Sequence, residues 1–353
     1  MARNKTASQP AISPIIGNPA SQQVVTVFGG GGFLGRYVVR SLTKRGYRVR
    51  VAVRNPNQAV AVLPFGNVGQ VVIVQANMRN RASLEQAVRG SHAVINLTGI
   101  MYQRGAQTFQ SVHVDGPKAL AEVTPADTKL IHVSAIGANA GSKSVYAKTK
   151  GEGEAAVLAA RKDAVIFRPS VLFGPGDGLF NRLGELARLL PVMPVIGPDT
   201  HMQPVYAGDV AEAIALAVEG KVEGGRIYEL GGPACVTMRD ISAKVLQVTE
   251  RSKKIFALSS GFASFAASCI HLADRLTLGL VIPRDLVFTR DQVELLKADN
   301  VVSSDAEKEG RTLSGIGIEP TAYEGIIPSY LERFRKAGEF EDMRERRKLA
   351  NKV

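Results

Sequence analysis

The sequence is poor in the residues that build disulfide frameworks and metal centres. Its 353 residues include two cysteines, too few for a disulfide framework or a cysteine-based zinc site. Its five histidines, at positions 92, 113, 132, 201 and 271, lack the spacing of metal ligands. Its 35 glycines have no fixed period, which excludes collagen and solenoid repeats. We therefore expect no metal site, and a reducing compartment.

Acidic residues are absent from the first 84 positions, which carry eleven lysines and arginines. The net charge of the chain is +12, and the other 269 residues carry 33 basic and 32 acidic side chains. The positive field therefore belongs to the N-terminal part of the chain. Since no helix-turn-helix, zinc-finger or aromatic RNA-binding pattern accompanies it, we expect no nucleic acid as a partner and favour a phosphate-rich small ligand.

From residue 24 onward, β-rich apolar runs alternate with helical patterns. The pattern predicts six strands, at residues 24–28, 48–53, 71–75, 92–97, 129–134 and 164–168. We expect Ser83 to cap the second of three helices, which cover residues 33–46, 83–88 and 146–161. This alternation is typical of βαβ units and predicts an α/β fold of the Rossmann type, with a doubly wound parallel sheet.

Composition divides the chain into four predicted regions. Residues 1–23 are rich in Ser, Pro, Ala and Gln and predict a flexible tail, with a targeting segment as the alternative. Residues 24–235 form the sheet domain. Residues 236–331 predict a smaller, mostly helical lobe that closes over the carboxyl ends of the strands. Residues 332–353 predict a charged C-terminal helix or tail.

Within the smaller lobe, residues 255–273 are nineteen positions without a formal charge. That length reaches the threshold for a membrane span, but serines, a glycine and a histidine make the stretch too polar. We expect a buried helix or a helix that docks on a surface, and both the protein core and a lipid surface stay open as its contact.

A glycine-rich loop directly follows the first predicted strand and opens the first predicted helix. Gly29, Gly32 and Gly35 have the spacing G-x-x-G-x-x-G. Glycine allows a sharp turn and the close approach of a pyrophosphate, and a helix N-terminus supplies amide groups and the positive end of a dipole. The strand–loop–helix context makes the pattern specific, and it predicts a dinucleotide site.

The residue after the second predicted strand distinguishes the two nicotinamide dinucleotides. An NAD(H) site usually places Asp or Glu there for the ribose hydroxyls, whereas this chain has Arg54 in VAVRNP. Arg36, next to Gly35, adds a second guanidinium. Arginine pairs with a phosphate and cannot replace a carboxylate as ribose acceptor. We therefore expect NADP(H) in preference to NAD(H), and two solvated arginines are the alternative.

Three candidate catalytic residues lie at and after the fifth predicted strand. Ser134 ends that strand, Tyr146 stands twelve residues later, and Lys150 follows in YAKTK. Positions i and i+4 of a helix share a face, so Tyr146 and Lys150 point the same way. We expect the ammonium to lower the pKa of the tyrosine, and Ser134 to hold a carbonyl oxygen beside it during hydride transfer.

Together these motifs resemble an extended or atypical short-chain dehydrogenase/reductase. The matching segments, between residues 24 and about 235, are VVTVFGGGGFLG, NLTG (96–99), VSAIGA (133–138), YAKTK and RPSVLFGPG (168–176). The resemblance implies that they surround the cofactor. The implied cofactor-binding residues are Gly29, Gly32, Phe33, Leu34, Gly35, Arg36, Arg54, Asn77, Met78, Leu97, Thr98, Gly99, Tyr146, Lys150, Pro169 and Val171. Asn77 stands where the family commonly has Asp against the adenine, which implies altered detail there.

A narrower resemblance covers most of the chain. The NADPH-binding accessory subunits of respiratory complex I and their bacterial relatives resemble it in GGGGFLGRYVVRSL, FNRLGELARLLPVMPVIG, QPVYAGDVAEAI and TRDQVELLKADNVVS (289–303). This resemblance implies a nucleotide bound for structure or assembly, with complex I subunits and a membrane surface as partners. It also implies a peripheral place on the inner membrane, on the cytoplasmic side in a bacterium and on the matrix side in a mitochondrion.

The sequence leaves two functions open. One is a nucleotide-binding accessory or assembly protein, supported by the resemblance over most of the chain. The other is an NADPH-dependent reductase, dehydrogenase or epimerase of unknown carbonyl or nucleotide-linked substrate, supported by Ser134, Tyr146 and Lys150. Because Lys150 also binds the cofactor ribose in the resembled family, and Tyr146 can lie against the nicotinamide, we favour the accessory protein.

Overall fold

The computed structural model describes residues 22–103, 105–259, 261 and 289–335. Its centre is a seven-stranded sheet made of β1 (Val24–Phe28), β2 (Arg48–Val53), β3 (Val71–Gln75), β4 (Ala93–Asn96), β5 (Lys129–Val133), β6 (Val165–Pro169) and β11 (Ile227–Leu230). The strands lie in the order β11-β6-β5-β4-β1-β2-β3, and every pair is parallel. The chain runs outward from β1 to β3 and then from β4 toward β6, so a crevice opens between the carboxyl ends of β1 and β4.

Helices cover both faces of this sheet. The helices are α1 (Phe33–Lys44), α2 (Arg81–Val88), α3 (Gly116–Val123), α4 (Val145–Ala160), α5 (Leu179–Leu189), α6 (Ala207–Val218), α7 (Met238–Val248), α8 (Arg290–Leu295), α9 (Ser304–Lys308), α10 (Tyr323–Ile326) and α11 (Pro328–Leu331). Apolar residues of α1 and α6 pack with one face of the sheet, and those of α2, α3 and α4 with the other. The predicted doubly wound α/β fold is confirmed. Its six predicted strands are present, and β11 is a seventh that the pattern did not predict.

The predicted cap of α2 is wrong. The side chain of Asn80 caps this helix and accepts the N–H of Ser83 at 3.2 Å. Ser83 lies inside the first turn, and its hydroxyl oxygen accepts the N–H of Asn77 at 3.0 Å. The helix begins earlier than predicted because asparagine is at least as good a cap as serine.

A second hydrophobic core lies beside the sheet, and we name the part of the chain that packs around this core the second lobe. Its buried side chains come from three stretches of chain, 173–202, 238–248 and 323–334. Between the first two stretches the chain returns to the sheet as α6 and β11. Six short strands lie outside the large sheet: β7 (Leu172–Phe173), β8 (Met193–Ile196), β9 (His201–Met202), β10 (Val205–Tyr206), β12 (Val236–Thr237) and β13 (Ile255–Leu258).

The helix predicted over residues 255–273 is wrong at its beginning. Ile255–Leu258 form β13, which pairs in parallel with β8. Branched and aromatic side chains such as Ile255 and Phe256 suit a strand beside a partner better than a helix. Apart from residues 259 and 261, the rest of that stretch lies outside the described residues. So do residues 1–21 and 336–353, which hold most of the two predicted tails.

Candidate nucleotide site

The loop between β1 and α1 has the shape that a pyrophosphate cradle requires. Gly29 has a φ of +78°, in the left-handed region, and its N–H donates to the carbonyl oxygen of Ala52 at 3.1 Å. A Cβ on Gly35 would stand 2.6 Å from the Cα of Gly30. The first turn of α1 therefore packs directly on the loop backbone, which only glycine allows.

The N-terminus of α1 is open for an anion. Gly32 precedes the helix without a capping side chain, and the first turn has no acidic residue. The amide groups of Phe33 and Leu34, in that first turn, lie at the positive end of the helix dipole. The free amides and the dipole of such an end favour the binding of a phosphate. The predicted glycine residues and these two amides thus lie together where β1 passes into α1.

The two arginines of the predicted site have different neighbours. Arg54 is exposed at the carboxyl end of β2, and its Nη1 donates to Oε1 of Gln107 at 2.7 Å. The Nη2 of Arg36 lies 3.0 Å from the position that a Cβ on Gly176 would take. Arg54 therefore lies at the carboxyl end of β2 beside Gln107, whereas Arg36 extends from α1 toward the loop after β7.

Asn77 and Met78 follow β3, next to the end of β2. The Oδ1 of Asn77 accepts the N–H of Arg79 at 3.1 Å and so closes a local turn. Met78 is buried, and its Cβ lies 2.9 Å from the position that a Cβ on Gly116 would take. The asparagine side chain serves the loop, and the methionine fills the space between this loop and α3.

The loop after β4 is held by the last residue of that strand. The Oδ1 of Asn96 accepts both the N–H and the hydroxyl of Thr98, at 3.1 and 2.5 Å. The N–H of Leu97 donates to the carbonyl oxygen of Phe28 at 3.0 Å. A Cβ on Gly99 would stand 3.7 Å from the Nζ of Lys150. These contacts place Leu97, Thr98 and Gly99 between the glycine loop and α4.

Ser134, Tyr146 and Lys150 are placed around the carboxyl end of β5. The Nζ of Lys150 is buried and donates to the carbonyl oxygen of Val133 at 3.2 Å. Burial lowers the pKa of Lys150 to about 8. Tyr146 lies one turn earlier in α4, with its ring edge-to-face against His113 at 5.3 Å. The serine, the tyrosine and the lysine thus border the same part of the crevice.

The expected lowering of the tyrosine pKa is wrong. Burial and, to a smaller extent, the negative charge of Asp291 together raise the pKa of Tyr146 to about 12. The N–H of Tyr146 itself donates to Oδ2 of Asp291 at 3.0 Å. The ammonium of Lys150 is directed to the backbone of β5, so burial and a nearby negative charge outweigh its effect.

A neutral histidine joins the β4 loop to α4. The N–H of Ile100 donates to Nε2 of His113 at 3.1 Å, and Nδ1 lies 3.1 Å from the hydroxyl of Thr149. Because Nε2 accepts, the proton belongs on Nδ1, which donates to Thr149. Burial and, to a smaller extent, the positive charge of Lys150 lower the pKa of His113 to about 3. The sequence did not single out His113, since nothing in its neighbourhood along the chain distinguishes it.

Two buried polar atoms at β5 lack a partner in the part of the chain that the structure describes. They are Nε2 of His132 and the hydroxyl oxygen of Ser134. Asn96 directs its amide toward Nδ1 of His132 at 3.0 Å, which leaves the proton of His132 on Nε2. Buried polar groups are normally satisfied by protein, water or ligand. Together with the open end of α1, these atoms fit a polar dinucleotide in the crevice.

Pro169 and Val171 lie at the carboxyl end of β6. The carbonyl oxygen of Pro169 accepts the N–H of Ile136 at 3.1 Å, and that of Val171 accepts the N–H of Val205 at 3.0 Å. Pro169 also pairs with Leu230 of β11. The two predicted contact residues therefore stand where the sheet passes into the second core.

Sequence reasoning missed two residues that contact this region from far along the chain. Asp291 binds the N-terminus of α4, and Asn300 binds Ser170 after β6. Their partners lie 130 to 147 positions away. The segment TRDQVELLKADNVVS contains both residues, yet no pattern within it indicates what they contact.

Two features are absent from the ranges that the structure describes. No group of three or more His, Cys, Asp or Glu side chains within them is arranged to hold a metal ion. No helix within them combines the length and the apolar character needed to cross a membrane.

Comparison with known proteins extends the resemblance seen in the motifs. The model of the NAD dependent epimerase/dehydratase family matches residues 25–231. The mitochondrial NADH dehydrogenase [ubiquinone] 1 alpha subcomplex subunit 9 of Arabidopsis thaliana is 30% identical over 345 residues, which are 96% of this chain and 82% of that one. The resemblance to complex I accessory subunits is therefore confirmed along nearly the whole chain.

Two further similarities are to a curated protein and to a solved structure. The ceramide reductase of Caulobacter vibrioides is 35% identical over 189 residues, which are 53% of this chain and 58% of that one. The NADPH-dependent quinone oxidoreductase of Escherichia coli, solved with NADPH, shares the fold with a TM-score of 0.66 and 19% identity. That match covers 87% of this chain and 99% of the solved one. The family match spans more than half of the chain, and we conclude that this protein belongs to the NAD dependent epimerase/dehydratase family.

Proposed function

We propose that this protein is an NADP(H)-binding accessory or assembly subunit of respiratory complex I, the NADH:ubiquinone oxidoreductase. The observation that carries this proposal is the extent of the similarity. The match with the Arabidopsis subunit covers 96% of this chain, whereas the family model ends at residue 231. The similarity therefore extends past residue 231 and includes the later part of the second core and the segment 289–303, which the family model does not cover.

The polar groups of the crevice support NADP(H) as the ligand in preference to NAD(H). Arg54 occupies the end of β2, where a carboxylate would bind the ribose hydroxyls of NAD(H). A guanidinium there matches a ribose phosphate and offers no acceptor to a hydroxyl. Phe33 and Leu34 supply amides for the pyrophosphate, and Lys150 lies beside the half of the crevice that would hold the nicotinamide.

The raised pKa of Tyr146 supports a nucleotide that stays bound over one that is oxidised and reduced in a catalytic cycle. A general acid works best when its pKa lies near the working pH. The pKa of Tyr146 is raised to about 12, far from neutrality. The bound nucleotide would then stabilise the subunit and its contacts in the complex. A ligand that binds only the folded state stabilises that state by mass action.

A lipid surface and other complex I subunits are the proposed partners. Leu189, Leu190, Val192 and Phe256 are exposed on the second lobe, Phe256 to 58%. The ammonium of Lys253 donates to the carbonyl oxygen of Leu190, beside these side chains. Apolar groups beside a cation suit the interface of an anionic membrane. We place the protein on the inner membrane as a peripheral subunit, on the matrix side in a mitochondrion and the cytoplasmic side in a bacterium.

Native mass spectrometry of the purified protein tests the ligand, and a gene deletion in the source organism tests the role. We expect one tightly held NADPH or NADP⁺ per chain, with slow exchange and no oxidation by carbonyl compounds. We expect the deletion to reduce the amount of assembled complex I, and the reintroduced gene to restore it. Fully assembled complex I in the deletion strain would overturn the role, and a protein that takes up no dinucleotide would overturn the ligand.

The alternative function is an NADPH-dependent reductase, and two observations favour it. The Caulobacter relative is named a ceramide reductase, and Ser134 presents a buried hydroxyl without a partner in the described part of the chain. Rapid exchange of the bound nucleotide, with NADPH oxidation by an amide-linked long-chain ketone, would favour this alternative over the accessory subunit.

A further inference from the structure

Residues 289–303, which we name the strap, cross the carboxyl ends of β5, β6 and β11. The strap begins with α8. Thr289 and Gln292 cap the N-terminus of this helix with reciprocal hydrogen bonds from side chain to backbone. It ends at Ser303, whose N–H donates to Oε2 of Glu229 in β11 at 2.8 Å. Ligands of open α/β sheets bind outside these strand ends. The strap therefore lies on the side of the sheet where the crevice opens.

The first anchor of the strap is Asp291 at the N-terminus of α4. Its Oδ1 accepts the N–H of Val145 at 2.7 Å, and its Oδ2 accepts the N–H of Tyr146 at 3.0 Å. The hydroxyl of Ser144 donates to the same Oδ2 at 2.9 Å. A carboxylate at a helix N-terminus satisfies free amides and opposes the helix dipole. Asp291 thereby sets the position of the helix that carries Tyr146 and Lys150.

The second anchor is Asn300 at the ends of β5 and β6. The hydroxyl of Ser170 lies 2.5 Å from Oδ1 of Asn300 and 3.0 Å from its carbonyl oxygen. The Nδ2 of Asn300 donates to the carbonyl oxygen of Ile136 at 3.5 Å. Ile136 follows Ser134 by two residues, and Ser170 lies between the predicted contact residues after β6. One side chain thus ties together the two loops that border this half of the crevice.

The strap is also fixed to the second lobe. The hydroxyl of Thr200 donates to the carbonyl oxygen of Leu296 at 2.5 Å, and the N–H of His201 donates to Oδ1 of Asp299 at 2.8 Å. The N–H of Val302 donates to Oε1 of Gln203 at 2.9 Å. The strap therefore bridges the second lobe and the sheet.

The anchored elements all lie on one side of the glycine loop. The adenosine half of a dinucleotide extends toward β2, where Arg54 stands, so the nicotinamide half extends the other way, toward β4, β5 and β6. Where Asp291 and Asn300 contact the sheet domain through their side chains, they contact elements on that second side. A nicotinamide in this position would be surrounded by groups that the strap holds in place.

We propose that the strap retains the nicotinamide half of the bound dinucleotide, with Asp291 and Asn300 as its positioning residues. The proposal rests on the nucleotide binding proposed above and adds to it the part of the chain that sets the rate of release. Adenosine 2′,5′-bisphosphate, which lacks the nicotinamide half, would bind only at the glycine loop and Arg54. The strap would slow the release of NADPH and leave the affinity for this fragment unchanged.

The test measures release of NADPH from the full-length protein. Loaded protein is mixed with excess NADP⁺, and the loss of NADPH fluorescence gives the dissociation rate. We expect Asp291→Asn to raise this rate about tenfold, because a charge-assisted capping contact is weakened. Asn300→Ala should act in the same direction, since it frees the loops after β5 and β6. The matched control is Glu294→Gln, on the same helix, whose carboxylate pairs with Lys297 of the strap itself.

Affinity for adenosine 2′,5′-bisphosphate separates retention from a general loosening of the fold. Faster NADPH release by Asp291→Asn and Asn300→Ala, with unchanged fragment affinity and an unaffected Glu294→Gln, would support the strap. Equal release rates in wild type and both variants would overturn it and leave the proposed nucleotide binding intact. An equal loss of affinity for the fragment and for NADPH would also overturn it. Wild-type protein that binds neither ligand would overturn both proposals at once.

Discussion

The two halves of the candidate site are built in different ways. The pyrophosphate end consists of a loop, a strand end and a helix start that are continuous in the sequence, from β1 through Gly35. The nicotinamide end gathers groups from β5, α4 and the strap, and its hydrogen bonds join residues up to 164 positions apart. The first half acts through backbone amides, and the second through buried side chains with shifted pKa values.

This difference determines how each half responds to change. A backbone cradle depends on the absence of side chains, so its weak points are steric. The nicotinamide end depends on a network of capping contacts, so its weak points are distant residues such as Asp291. We expect substitutions in the first half to abolish binding, and substitutions in the second to change rates and pH dependence.

Substitution of Gly35 is expected to have the largest effect. In Gly35→Ala the new Cβ would stand 2.6 Å from the Cα of Gly30, a backbone atom that cannot move away cheaply. Such overpacking costs about 1–3 kcal/mol of unfolding free energy, and we expect NADPH binding to be lost with it. Urea unfolding and NADPH fluorescence measure the two effects. Gly178→Ala is the control because a Cβ there meets nothing within 4 Å, and an equal loss in both variants would contradict the steric account.

Charge reversal at Arg54 comes next in size. In Arg54→Glu, the proposed pairing with the ribose phosphate would be replaced by repulsion. A hydrogen bond to a charged group contributes about 1.5–3 kcal/mol, so we expect NADP(H) affinity to fall about tenfold to a hundredfold. The affinity for NAD(H) should rise or stay equal. Isothermal titration with both dinucleotides measures the change. Arg48→Glu, at the other end of β2, is the matched control. An equal loss of NADP(H) affinity in that variant would show that the overall charge, and not the position of Arg54, causes the effect.

These two residues also mark what could be predicted from the sequence. The positions of Gly35 at the start of α1 and of Arg54 after β2 could be predicted because strand, loop and helix follow each other directly in the chain. His113, Asp291 and Asn300 were missed because their contacts arise only after the chain folds back. The same reason explains the wrong pKa direction for Tyr146, since spacing shows a neighbouring lysine but neither burial nor a carboxylate from α8.

We expect the affinity for NADPH to depend on pH through Lys150 and not through Arg54. Burial lowers the pKa of Lys150 to about 8 in the nucleotide-free protein. NADPH affinity should fall as the pH rises through about 8, by about tenfold per pH unit beyond it, if binding requires the ammonium. Lys150→Met should bind weakly with no such slope. A wild-type titration that is flat between about pH 7 and 9 would contradict the role of the ammonium.

The lowered pKa of Lys150 also makes the free energy of unfolding depend on pH. The pKa of Lys150 is lower in the folded state than the 10.5 of an unperturbed lysine, so the unfolded chain binds more protons between these values. The contribution of Lys150 to the free energy of unfolding therefore rises with pH across that window. Urea unfolding of nucleotide-free wild type and Lys150→Met at several pH values measures this contribution. It is the difference between the two proteins in how steeply the free energy of unfolding changes with pH.

Tyr146→Phe is expected to have the smallest effect, and it separates the two proposed functions. The ring contacts with His113 and Phe109 are kept, and only a hydroxyl with a pKa near 12 is removed. If the nucleotide is held and not turned over, complex I assembly in cells carrying this variant should equal that of wild type. NADPH release should change less than about twofold, well below the effect of Asp291→Asn. A stably folded Tyr146→Phe protein that fails to restore the deletion strain would show that proton transfer by this hydroxyl is needed, and the reductase would replace the accessory subunit as the better account of the site.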